Sequence, residues 1–118
     1  MKEPTEEQVK EFWEWCGFTR SNSQNNYIAG RVWHYPNGTE EWNFPIPIDL
    51  NNLFKYAVPI VYKAGLQIVF QCLSTSRYDC YIADPYERKS TKTITNTDPA
   101  LALFWAIFAA FGGVRDGN

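Results

Sequence analysis

The sequence is short of most things that would fix a function at once. Its 118 residues hold one histidine, one methionine and three cysteines. Any Ser–His–Asp or Cys–His arrangement would have to run through His34, which sits in WHYPNG with no serine or cysteine near it in sequence. Cys16, Cys72 and Cys80 are odd in number and lack CxxC spacing, which makes a poor disulfide framework and a poor zinc site and points to a reduced, intracellular setting. No HExxH, no cysteine–histidine cluster, no dense carboxylate loop and no glycine-rich phosphate loop is present, so no metal or other cofactor is expected and catalysis lacks positive support. An excess of either charge is also missing. Eleven basic and thirteen acidic residues leave a formal charge of -2, which argues against broad affinity for nucleic acid. The opening MKEPTEEQVK is polar and acidic and does not read as a signal or transit peptide, so the expected location is cytoplasmic. Asn37-Gly38-Thr39 then reads as a turn, not a glycan site.

Long hydrophobic runs are limited to one. Pro99 to Phe111 carries no charged or polar side chain, but at ~1.5 Å per residue it spans on the order of 20 Å, short of a ~30 Å hydrocarbon core. It reads as a buried helix and not as an anchor. Its large residues (Leu101, Phe104, Trp105, Phe108, Phe111) lie on one side; Ala102, Ala106, Ala109 and Ala110 fall largely elsewhere and admit close approach of another element or another chain.

What the chain does have is aromatic bulk: five Trp, seven Tyr and eight Phe in a length that suits one domain. A first helix opens with Thr5 and Gln8 as a capping box, carries Val9, Phe12, Trp13 and Cys16 on one face, and closes at Gly17 with Phe18 folding back on Trp13. Residues 19–26 are polar and turn-forming and read as a loop, and a hairpin follows with PNGT between strands 31–35 and 40–43. Asp49 caps a second helix whose stripe is Leu50, Leu53, Phe54, Ala57, Val61 and Ala64, with Gly65 as its end. Pro59 conflicts locally with that helix and predicts a kink without a break. Two strands follow, Leu66–Ser74 and Arg77–Asp84, with Tyr78, Cys80 and Ile82 facing inward, then a shorter strand near Thr91–Thr95. Asp98 and Pro99 begin the closing helix. The expected fold is one α+β domain of three helices and an antiparallel sheet.

Three strings, EFWEWCGF (11–18), PIDLNNLFKYAVP (47–59) and DPALALFWAI (98–107), with a strand pair between the second and third, resemble the phage ABA sandwich domain family over about residues 5–110. The resemblance implies a helix–sheet–helix sandwich and a phage or prophage protein without an assigned activity. It supplies no catalytic residues.

Candidate binding residues come in three groups. Trp15, Trp33 and Trp42 fall off the main core faces and could stack a base or hold a cationic ligand. Asn51 and Lys55, beside Asp49, Asn52 and Tyr56, form a polar patch at a helix start, against the plainer reading of a cap and a solvated face. Arg88, Lys89 and Lys92 in ERKSTK could contact phosphate, although such runs are commonly solvated loops. The expectation is a non-enzymatic binding or interaction module, a homodimer that also meets a host or phage protein, with no membrane contact. The alternative is sequestration of a small ligand, such as a nucleotide signal in phage–host defence, in an aromatic pocket near the hairpin; nucleic-acid binding through the basic turn is the weaker one.

Overall fold

A computed structural model describes residues 3–20, 33–36, 40–41 and 46–111. The chain is α+β and divides into two compact units, Pro4–Pro47 and Ile48–Asn118, the latter with Met1–Glu3.

In the first unit, α1 (Glu6–Trp15) begins at the capping box read from the sequence. The Gln8 amide donates to Thr5 Oγ1 at 3.1 Å and the Thr5 amide donates to Gln8 Oε1 at 2.9 Å, so two otherwise orphaned N–H groups satisfy each other's caps. The helix ends in a Schellman motif: Phe18 N–H donates to Trp13 O and Gly17 N–H to Glu14 O, both at 3.0 Å. Gly17 takes φ +105°, a conformation that a Cβ would strain. The returning Phe18 ring lies 5.3 Å from Trp13 and 4.7 Å from Tyr35. Phe12, Trp13, Cys16, Phe18 and Ile46 are buried, and Trp13 donates its indole N–H to Ile46 O at 3.1 Å. Burying an indole in this way leaves no unpaired donor behind.

Strands β1 (Thr19–Arg20), β2 (Trp33–His34) and β3 (Glu40–Glu41) form a small antiparallel sheet in that order. His34 lies opposite Glu40 and Trp33 opposite Glu41, which is the centre of the expected hairpin; its turn at 37–39 is outside the described residues. The loop expected over 19–26 needs correcting at its start, because Thr19 and Arg20 pair with His34 and Trp33. Two residues are too few to carry a period-2 signal, and the Schellman turn just before them redirects the chain into the ladder.

In the second unit, Asp49 Oδ1 accepts the Asn52 amide at 2.8 Å and starts a helix that runs in three pieces: α2 (Leu50–Asn52), a π-helical turn (Leu53–Ala57) and α3 (Val58–Lys63). The helix continues past Pro59. The widened turn includes Lys55, whose carbonyl a regular helix would press against the proline ring. It also shifts the phase, so the buried residues are Leu53, Ala57, Val58 and Val61. Phe54 and Ala64, expected on the same stripe, are exposed. Gly65 at φ +81° closes the helix with a second Schellman motif, Leu66 N–H donating to Val61 O at 3.2 Å and Gly65 N–H to Tyr62 O at 3.0 Å.

Strands β4 (Gln67–Ser74) and β5 (Arg77–Asp84) are an antiparallel hairpin in which Ile68 faces Ile82 and Phe70 faces Cys80. Cys80 and Ile82 are buried, as their alternation requires. The third strand is broken in two: β6 (Lys89–Ser90) pairs with the C-terminal end of β5 and β7 (Ile94–Asn96) with its N-terminal half. At the break, Thr91 N–H donates to Ile82 O at 2.9 Å and Thr91 Oγ1 accepts the Ile82 amide at 3.0 Å. A side-chain hydroxyl thus replaces a ladder carbonyl.

The closing helix α4 (Pro99–Phe111) is capped by Asp98, whose Oδ1 accepts the Ala100 amide at 2.8 Å. Ala100–Phe104 and Ala106–Phe108 are all buried. Ala102 and Ala106 are thereby covered within this chain, while Ala109 and Ala110 of the same small-residue set are half-buried. The helix packs on β5 and β7 and against the N-terminal half of the π-interrupted helix. Among the described residues no helix is long and apolar enough to cross a membrane.

Candidate functional site

Three surface features of the second unit follow from its backbone. The first is an aromatic pair. Phe54 and Tyr62 are each 56% exposed. They are eight positions apart, but the extra residue taken up by the π turn makes that spacing behave like seven, ~20° from alignment on a regular helix. The turn that accommodates Pro59 therefore sets two exposed rings on one stripe.

The second feature is an open groove of about 240 Å³ beside the break in the third strand. Leu66, Ile82, Ala109 and Ala110 supply its apolar lining and Asp84, Lys89, Ser90 and Thr91 its polar groups. Little of that polarity is uncommitted. Asp84 Oδ1 accepts the amides of Tyr86 and Glu87 at 3.0 and 3.1 Å, Lys89 Nζ lies 3.6 Å from Glu87 Oε2, and the Thr91 hydroxyl is held by Ile82. The apolar part of this lining suits an apolar group. Among the described residues no cluster of three His, Cys, Asp or Glu is placed to hold a metal ion.

The third feature is the outer edge of β4. Among the described residues β4 pairs only with β5, while the far side of β5 is taken by β6 and β7. The strand QIVFQCLS holds no charge and no proline.

The residues singled out from the sequence are spread among these features. Trp15 is half-buried on α1, its ring 6.0 Å from Phe12. Trp33 lies in β2 between Arg20 and Glu41, and Trp42 is outside the described residues. Asn51 and Lys55 are exposed one helical turn apart, with Lys55 Nζ 5.2 Å from the Tyr56 ring centroid. Arg88, Lys89 and Lys92 are all exposed; Arg88 holds φ +56° in the turn into β6, and only Lys89 lines the groove. Sequence reasoning missed Phe54, Tyr62, the groove and the open edge. A proline ten positions into a helical pattern was the one available signal for the first two.

The buried thiols are inert by environment. Burial pushes Cys80 up to about 12 and Cys16 further still, so both stay protonated at neutral pH.

Comparison with known proteins assigns no family: no family model matches the chain, and neither a curated protein nor a solved structure matches it.

Proposed function

We propose that this chain is a non-enzymatic interaction module of phage or prophage type, acting in the cytoplasm through protein contact. The observation that carries the reading is the exposed aromatic stripe of Phe54 and Tyr62. Large apolar side chains aligned on one open face are a common mark of a protein-docking surface. The resemblance of the 47–59 and 98–107 strings to the phage ABA sandwich family supports the phage origin and a helix–sheet–helix layering.

The test is capture from phage-infected host extract with the wild-type chain and with Phe54→Ala/Tyr62→Ala. Both positions are open to solvent, so the double variant keeps its fold. A protein retained by the wild type and lost by the variant supports the reading. Equal retention by both overturns the assignment of the docking face.

Sequestration of a small ligand is the second reading, and the groove beside Thr91 favours it. It moves the ligand from the hairpin tryptophans to the lining formed by Leu66, Ile82, Ala109 and Ala110. Nucleic-acid binding ranks third: Lys89 is engaged by Glu87 and the net charge is negative.

A further inference from the structure

The pairing of β5 with its other neighbours fixes which backbone groups of β4 face outward. Both the N–H and the C=O of Ile82 are spent on Thr91, on the side of β5 away from β4. In an antiparallel ladder the N–H and C=O of one residue point the same way and successive residues alternate. Ile82 is paired in register with Ile68, so this is a non-hydrogen-bonded pair and Ile68 turns its own N–H and C=O away from β5. By alternation Phe70 and Cys72, opposite Cys80 and Tyr78, do the same. The open edge therefore presents three N–H and three C=O groups, from Ile68, Phe70 and Cys72. Leu73, at the register shift, ends the regular stretch.

An edge of this kind ordinarily carries a lysine, a proline or an inward charge that discourages pairing. Here the strand has none. Its spacing is also symmetric about Phe70. When a second copy approaches antiparallel with Phe70 on the two-fold axis, Ile68 meets the partner's Cys72, Phe70 meets the partner's Phe70, and Cys72 meets the partner's Ile68. All three outward residues then face outward residues, and the core faces of the two sheets stay on the same side. A centre one residue away, at Val69 or Gln71, leaves Cys72 or Ile68 to pair outside this trio. The strand holds no charge, so pairing it with its own copy brings no like charges together within the ladder.

We infer that β4 is a homodimerisation edge: two copies join antiparallel through residues 68–72, with Phe70 on the two-fold axis, into one continuous sheet. This names one partner of the interaction module proposed above and rests on that reading only in being a protein contact; the aromatic stripe is not part of it. A backbone ladder of this length buries less than the ~1,200–2,000 Å² of a standard stable interface, so the dimer is in exchange with monomer.

The test uses the purified full chain in sedimentation velocity over a concentration series. The expected result is a monomer–dimer equilibrium that Cys72→Pro weakens by at least about tenfold, because each copy loses an edge N–H that its own ladder does not use. Cys72→Lys, which keeps the backbone intact and adds an edge charge, is expected to shift the equilibrium the same way, with an unchanged circular dichroism spectrum in both variants. Cys72 of the wild type, set opposite the partner's Ile68, is expected not to cross-link to its own copy on oxidation. A chain that stays monomeric throughout, a dimer unaffected by both Cys72 variants, or a wild-type Cys72–Cys72 cross-link overturns the inference. Capture that depends on Phe54 and Tyr62 is read separately and survives any of these outcomes.

Discussion

Thr91→Val exchanges a hydroxyl for a methyl of nearly the same shape, and by strand propensity alone it should be neutral or favourable. The structure gives the opposite sign. Thr91 Oγ1 accepts the Ile82 amide at 3.0 Å, and Ile82 is only 3% exposed. With valine in place that N–H has no acceptor at the break between β6 and β7, and a buried donor left unsatisfied costs about 1–3 kcal/mol. The added apolar contact offsets less than about 1 kcal/mol of this. The net expectation is a loss of about 1–2 kcal/mol, or several degrees in Tm. Thr91→Ser keeps the acceptor and loses only the methyl, so it should cost less than Thr91→Val. Urea unfolding followed by far-ultraviolet circular dichroism, with the slope checked for constancy, measures both variants. Valine as stable as wild type, or more stable than serine, would show that the hydroxyl does not substitute for a ladder carbonyl.

Gly17→Ala should cost more than Gly65→Ala. Both glycines sit at positive φ, but a Cβ at Gly17 comes 3.4 Å from Pro36 Cγ whereas at Gly65 the nearest atom is Tyr86 Cε2 at 3.9 Å; equal losses of Tm would refute the steric part. Asp98→Ala should lose about 1 kcal/mol by thermal melting and Asp98→Asn much less, since the Asn side-chain carbonyl oxygen can still accept the Ala100 amide; identical losses would exclude the capping role. A thiol reagent should modify one of the three cysteines in the folded chain, the exposed Cys72, and all three in denaturant, read by intact mass. Stability should hold below pH 9 and fall as pH rises toward 12, because the unfolded chain ionises a Cys80 thiol that burial keeps protonated; Cys80→Ala should flatten that fall.

The sequence was most legible where structure is local. Thr5 with Gln8, Gly17, Asp49, Gly65 and Asp98 all do what their types and spacing announce, because a cap is decided within a few residues. The α+β class and the inward faces of Cys80 and Ile82 were legible for a related reason, since period-2 alternation survives in a strand of eight residues. Phe54 was assigned to the wrong side because the π turn changes the helical phase, and no periodicity can anticipate where the extra residue is absorbed. The break at Thr91 depends on a hydroxyl reaching Ile82 nine positions earlier, a long-range substitution without a local signature. The open edge of β4 and the groove depend on strand order, so of the residues proposed from sequence only Lys89 reaches the groove.

The most direct test of the interaction reading is native mass spectrometry of gently purified protein, followed by the denatured mass of the same sample. The expected spectrum holds the bare chain mass together with twice that mass, the latter growing with concentration and neither carrying an added component. A surplus mass that rides on the native protein and leaves on denaturation would contradict it and make the chain a small-molecule binder.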